Sequence, residues 1–233
     1  MISFKGRQFN KMVILMAVRW YIAYPLSYKE VRELLLERGI EVSRSTICRW
    51  VATYSEQLEA EFRRRHKRGV VGSWRMDETY IKVKGIWHYL YRAVDKNGDT
   101  VDFYLSRKRD KAAAKAFLDK AVLQHGIPEK VTIDGSEASL AALKVYQLYF
   151  FVLSILGYCH IPFEIRQIKY LNNIVEQDHR GIKRITKTTT GFKSFESAKA
   201  TLAGIELHRM LRKGQHQDCA NLSIFDQFYS LAG

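Results

Sequence analysis

The 233 residues are 47% hydrophobic and carry a formal net charge of +14, which speaks against a disordered chain and allows one full-sized core with a small accessory domain. Residues 1–68 hold 14 basic and 7 acidic side chains and the remainder 24 and 17, so the excess is chain-wide and a phosphate backbone is the partner that fits best. Cys48, Cys159 and Cys219 are odd in number, far apart and in no C-x-x-C pair, which argues against a disulfide framework or zinc knuckle and suits a reducing cytoplasm.

The first apolar run, Met12–Val18, follows Lys5, Arg7 and Lys11 as a secretory leader would, but Arg19 interrupts it and no small-residue cleavage site follows. It reads as part of a buried helix from about Asn10 to Tyr24, stopped by Pro25. Ser27-Tyr28-Lys29-Glu30 has the spacing of a capping box and starts a second helix with Val31, Leu34 and Leu35 on one face. Gly39 can supply the left-handed residue that ends it.

Ser43 can cap a third helix, in which Ile47, Trp50, Val51, Tyr54 and Leu58 form a buried stripe while Arg44, Ser45, Thr46 and Arg49 face elsewhere. Two packed helices, a short turn and a third helix with an exposed polar N-terminus are what a helix-turn-helix needs to enter the major groove. Arg49 could then reach guanine edges or phosphate; a three-helix packing module with a solvated face is the plainer alternative. The basic run Arg63, Arg64, Arg65, Lys67 and Arg68 leads into Gly69 and Gly72. That composition marks a boundary between a DNA-binding domain at residues 1–68 and a second domain at 69–213, with residues 214–233 a tail left unassigned.

From Trp74 the hydrophobic period becomes two. Three antiparallel strands are predicted: Met76–Val83, Ile86–Asp95 after a Lys84-Gly85 turn, and Thr100–Leu105 after Lys96-Asn97-Gly98-Asp99. A helix over Lys111–His125, closed by Gly126 and Pro128, precedes the short apolar strand Val131–Ile133, so a crossover to a parallel strand is implied. A helix from Ser136, a strand near Phe163–Gln167, and helices Asn172–Lys187 and Ser197–Leu211 complete an α/β order, βββαβαβα with one further helix. Val145–Phe163 is strongly apolar, but Gln147 and His160 interrupt it and Gly157 and Pro162 break it, which makes a poor membrane span.

Asp77 lies where the first strand otherwise wants apolar or β-branched residues, and Asp134 lies just past an apolar strand, before Gly135. Should those strands be neighbours, the two carboxylates converge; either acid alone reads equally well as a cap or a solvated side chain. On the helix beginning at Asn172, Glu176 has His179, Arg180 and Lys183 at i+3, i+4 and i+7, so one face presents acid and base together. Magnesium (Mg2+) takes oxygen ligands with few protein carboxylates per ion. Three acids on separate elements can therefore hold two ions about 3.5–4 Å apart for in-line displacement at phosphorus.

Trp74-Arg75-Met76-Asp77-Glu78-Thr79-Tyr80, Tyr89–Asp95, and Arg166-Gln167-Ile168-Lys169-Tyr170 running into Asn172-Asn173 and Glu176 resemble the bacterial insertion-sequence-six family of transposases. The likeness extends from Phe4-Lys5-Gly6-Arg7 to Gly191-Phe192-Lys193-Ser194 and Leu211–Gln215. It implies a ribonuclease-H-like catalytic domain with a D-D-E triad, whose acids match Asp77, Asp134 and Glu176, and a basic residue matching Lys183. It also implies two Mg2+ or Mn2+ ions, binding to terminal inverted repeats of double-stranded DNA, 3′-end cleavage and strand joining, a homodimer, and action on the bacterial nucleoid without a membrane. One departure is the interval of 41 residues between Asp134 and Glu176, longer than in many members and containing the aromatic-rich Val145–Phe163, which fits either a subgroup insertion or a diverged, inactive copy with an altered segment beside its active site. Two other readings remain: a helix-turn-helix regulator with an inactive second domain, and a nuclease that hydrolyses without rejoining.

Overall fold

The computed structural model describes residues 2–70, 72–157, 164–187 and 191–233. In chain order the elements are α1 (Lys11–Ala23), α2 (Tyr28–Leu36), α3 (Arg44–Arg65), β1 (Ser73–Val83), β2 (Ile86–Asp95), β3 (Thr100–Ser106), α4 (Lys111–His125), β4 (Lys130–Ile133), α5 (Glu137–Ile155), β5 (Glu164–Gln167), a 3-10 turn at Lys169–Asn172, α6 (Asn173–Thr186), α7 (Phe195–Arg212) and α8 (Ile224–Ser230). They divide into two compact units, residues 1–68 with 83–85 and 181–233, and residues 69–82 with 86–180.

Helix starts follow the polar residues that the sequence marks. Asn10 accepts from the Met12 amide. Ser27 and Glu30 form both halves of the capping box, with the Ser27 amide donating to Glu30 Oε2 at 2.6 Å and the Glu30 amide to Ser27 Oγ at 3.3 Å. Ser43 accepts from the Thr46 amide, which satisfies a donor that the first helical turn leaves unpaired. The predicted stripe of α3, Ile47, Trp50, Val51, Tyr54 and Leu58, is buried throughout.

In the first unit α7 is the central helix and packs chiefly against α3, with α1 and α8 alongside. Twelve of its residues are buried, including Ala198, Ala200, Ala203 and Gly204. These small residues let backbones approach closely: a Cβ added at Gly204 would lie 2.7 Å from Ile22 Cγ2 and 2.8 Å from Ser55 Oγ. The end of α3 is tied to the chain beyond α7 by Arg68 N donating to Gln215 O at 2.8 Å and Gln217 N to His66 O at 2.8 Å. The tail that periodicity leaves unassigned contributes α8, with Phe228 fully buried.

The second unit is a five-stranded sheet in the order β3-β2-β1-β4-β5. β2 and β3 pair antiparallel, β4 runs parallel to β1, and β5 runs parallel to β4. Three sequential strands joined by tight turns, followed by helix crossovers to parallel strands, follow the order that the sequence predicts and the ribonuclease-H-like arrangement that the family resemblance implies. Trp74, Met76, Tyr91, Phe117, Leu118, Leu143 and Tyr146 form the core between one face of the sheet and α4 and α5. α5 is long and apolar enough to cross a membrane by length and composition. Its Ala142, Leu143, Tyr146 and Phe150 face the core of this unit, whereas Leu148, Tyr149, Val152 and Ile155 are exposed. Residues 158–163, the end of the aromatic-rich interval, together with Phe163 of the predicted fifth strand, lie outside the described residues.

Candidate active site

β1 puts alternate side chains on opposite faces of the sheet. Trp74 and Met76 enter the core beneath α4 and α5, so Asp77 stands on the other face. The parallel ladder pairs Ser73 with Lys130, Trp74 with Val131 and Arg75 with Thr132. Continued by two residues, that register sets Asp77 beside Asp134, the first position beyond β4. Asp134 is exposed and its Oδ1 accepts from the Ser136 amide at 3.3 Å.

The segment leading into α6 is fastened to β1 at Arg75 and Met76. Asn172, fully buried, donates through Nδ2 to the Met76 carbonyl at 3.0 Å, and Arg75 Nε donates to the Leu171 carbonyl at 3.0 Å. Two turns of helix later, Asp178 Oδ2 meets Arg92 Nη2 of β2 at 2.5 Å in a pair sealed from solvent on the arginine side. His179, also buried, places Nε2 3.7 Å from Asp77 Oδ2. Glu176 lies in the first turn of α6, where the helix N-terminus favours a carboxylate, and it is exposed. Asn172 and His179 occur in the motifs the sequence singles out. Arg75, Arg92 and Asp178 carry no spacing signal of this role, because their partners are 86 or more residues away.

Burial raises the Asp77 carboxyl from its ordinary value to about 7, and the charge of Asp134 adds to the effect; Glu78 donates a backbone hydrogen bond that opposes it, and the charges of Glu78 and Glu176 contribute further upward pressure. The three predicted acids therefore share one electrostatic environment, in which adding negative charge is costly. Among the described residues, no three His, Cys, Asp or Glu side chains are gathered tightly enough to form a ligand cage. The donor chemistry nonetheless fits a hard cation: carboxylate oxygens from two adjacent strands and a helix, around an acid that is hard to ionise without an added positive charge.

In the first unit Arg44, Ser45 and Arg49 are exposed at the start of α3 and Thr46 is half-buried. Ser43 Oγ lies 2.9 Å from the hydroxyls of both Ser45 and Thr46, and Arg49 Nη2 donates to Thr46 Oγ1 at 3.1 Å. Beside them opens a groove of about 620 Å³ whose lining includes Tyr28, Lys29, Arg44, Cys48 and Lys193. Lys29 and Lys193 thus join the basic surface next to this helix. Lys183 is exposed on α6, in the part of that helix belonging to the first unit.

A family model described as a DDE domain matches residues 71–215, which include all three acids, and one described as the transposase IS66 family matches residues 10–131. The transposase for insertion sequence-like element IS431mec of Staphylococcus aureus is 43% identical over 204 residues, 87% of this chain and 85% of the relative. The transposase for insertion sequence element IS257 in transposon Tn4003, from the same species, matches to the same extent. Among solved structures, the catalytic core of HTLV-2 integrase in complex with magnesium is 17% identical, with a TM-score of 0.37 over 71% of this chain and 86% of that one. The catalytic core of BIV integrase is 16% identical, with a TM-score of 0.41 over 59% and 84%. The chain belongs to the DDE transposase family.

Proposed function

We propose that this transposase is of the insertion-sequence-six type and that Asp77, Asp134 and Glu176 are its D-D-E triad. What supports the reading is the parallel β1–β4 register, which, continued two residues past Arg75–Thr132, brings Asp77 beside Asp134, with Glu176 bearing on the same carboxyl. Residues 1–68 act as the helix-turn-helix domain, with Arg44, Ser45, Thr46 and Arg49 entering the major groove of the terminal inverted repeats. Residues 69–213 are the catalytic domain by sequence, although residues 181–213 pack in one unit with the N-terminal helices. The protein works in the bacterial cytoplasm at the nucleoid, as a homodimer, because two element ends must be paired before joining.

Asp77, Asp134 and Glu176 would hold two divalent ions, magnesium or manganese. When bound, such ions activate the attacking oxygen and stabilise the leaving one in displacement at phosphorus. The chain's own residues do the positioning. His179 stands 3.7 Å from the Asp77 carboxyl, where its imidazolium would favour the carboxylate, Asn172 and Arg75 fix the approach to α6 against β1, and Lys183 binds a DNA phosphate. The family resemblance implies that these parts carry out 3′-end cleavage followed by attack of the freed 3′-hydroxyl on target DNA.

Asp134→Asn tests the reading. It should bind terminal-repeat duplex as the parent does while 3′-end cleavage and joining fall by at least about 10²–10³-fold, the scale of removing one group that acts in the transition state. Unchanged joining by that variant removes the triad assignment. Pre-cut ends supplied with a target duplex separate a transposase, which joins them, from a nuclease, which does not. A DNA-binding chain inert in both assays would be the non-catalytic regulator.

A further inference from the structure

The two halves of β1 are covered differently. Trp74 and Met76 are buried in the core, but on the same face of the strand Tyr80 and Lys82 are exposed, while Thr79, Ile81 and Val83 are buried on the opposite face. Cover on the α4–α5 side therefore ends at about Glu78, and the strand beyond it presents aromatic rings to solvent. Tyr80 is 47% and Trp87 54% exposed. The two rings meet edge to face with centroids 6.1 Å apart, and Tyr89 lies 5.4 Å from Tyr80. Such packing holds the rings as a rigid group and leaves ring faces available for contact.

Positive charge surrounds this group. Lys82 Nζ lies over the Trp87 ring, 5.4 Å from its centroid. Tyr89 pairs with Ser106 across the β2–β3 ladder, so the run Arg107-Lys108-Arg109 that follows Ser106 leaves the sheet beside Trp87 and Tyr89. All three of those cations are exposed. Glu78, the acid nearest the group along β1, is engaged by Arg109.

We propose that the platform of Tyr80, Trp87 and Tyr89, flanked by Lys82 and Arg107–Arg109, binds unpaired bases of a DNA strand by stacking. A double helix hides its base faces, so rings on a rigid surface recognise a strand whose bases are free, and neighbouring lysines and arginines hold its phosphates. An apolar protein partner would gain nothing from the basic rim, and a duplex held by phosphates alone would not need exposed tryptophan. The platform is separate from the carboxylate site, since Tyr80 and Asp77 stand on opposite faces of β1. The inference rests on the reading that the chain works on DNA, but binding to the platform requires neither metal nor strand cleavage.

The experiment is therefore run in chelator with the full chain, following the fluorescence anisotropy of an end-labelled 20-nucleotide oligothymidylate or of a labelled duplex of the same length. Trp87→Ala and Tyr80→Ala should each weaken single-strand binding by about 5–150-fold, the range for losing one stacked base, and change duplex binding less than about twofold. Trp87→Phe, which keeps a ring, should recover most of the loss, and Lys82→Ala should reduce the salt dependence of single-strand binding by about one phosphate contact. Equal losses on duplex and single strand, or no loss on either, overturn the proposal. So does tighter binding of oligouridylate than of oligothymidylate, or conversion of a dimer to a monomer by Trp87→Ala, which would make the platform a self-association surface. A chain that fails to join terminal repeats yet loses the single strand with Trp87→Ala would refute the proposed reaction and leave this site standing.

Discussion

The two compact units hold themselves together by different means. The first packs small residues of α7, Ala198, Ala200, Ala203 and Gly204, against neighbouring helices. The second fastens α6 to its sheet with directional polar contacts: Arg92 to Asp178, Asn172 to the Met76 carbonyl, and Arg75 to the Leu171 carbonyl. Close packing tolerates small shifts as long as volume is conserved, whereas a buried polar contact is either made or lost. That difference suits the unit carrying the acids, because a catalytic carboxylate must be placed to within a fraction of an ångström.

Arg92→Met should separate the two units most strongly. It removes the guanidinium that Asp178 meets and should cost about 3–5 kcal/mol in urea unfolding. Combining it with Asp178→Leu should restore much of the loss, since much of the penalty is that of a charge deprived of its guanidinium. Full recovery of stability without recovery of strand joining would show that the pair aligns Glu176 as well as stabilising the unit. A cost below about 1 kcal/mol would remove the distinction between the two units.

Metal binding tests the same side of the comparison. With Asp77 raised to about 7 by burial and by the charge of Asp134, the neutral acid is favoured in the folded, metal-free protein. This part of the stability is present below the ordinary carboxylate range and is lost as pH rises toward 7. A cation needs the carboxylate, so below pH 7 its binding must release a proton and its affinity should fall about tenfold per pH unit. Calorimetry with magnesium in buffers of different ionisation enthalpy would measure that proton; Asp77→Asn should abolish the release. An affinity independent of pH between 5 and 7 would place the metal elsewhere.

Gly204→Ala probes the other unit. Its new Cβ would lie within 2.9 Å of Ile22 and Ser55 atoms. Overpacking of about 1–3 kcal/mol should exceed the gain of up to about 1 kcal/mol from helix propensity. The net loss, about 1–2 kcal/mol by thermal unfolding, should stay below that of Arg92→Met.

The same contrast governs what is legible in the sequence. β2 and α4 fall on the residues that turns and periodicity predict, Ile86–Asp95 and Lys111–His125, because hairpins and amphipathic helices are specified locally. Asp77 is visible because it interrupts an apolar pattern, and Asp134 because it ends one. Glu176 is not distinguished from an ordinary surface acid by its helix, so the family likeness had to select it. The contacts of Arg92 and Arg75 are not legible at all, since nothing in a strand's period names a partner on a helix far along the chain. Packing of α7 and α8 with the N-terminal helices is hidden for the same reason: periodicity finds a buried face but not what covers it.

The smallest effect separates stability from recognition within the first unit. Ser27 and Ser43 both cap helices, and replacing either with alanine should cost about 1 kcal/mol. Only Ser43 also contacts the hydroxyls of Ser45 and Thr46, and Thr46 in turn accepts from Arg49. Ser43→Ala should therefore loosen Arg49 and lower affinity for terminal-repeat duplex several-fold, while Ser27→Ala, of equal cost in thermal unfolding, should leave that affinity unchanged. Equal loss of DNA binding from both variants would mean that repeat recognition depends on the stability of this unit as a whole rather than on how Ser43 arranges the start of α3.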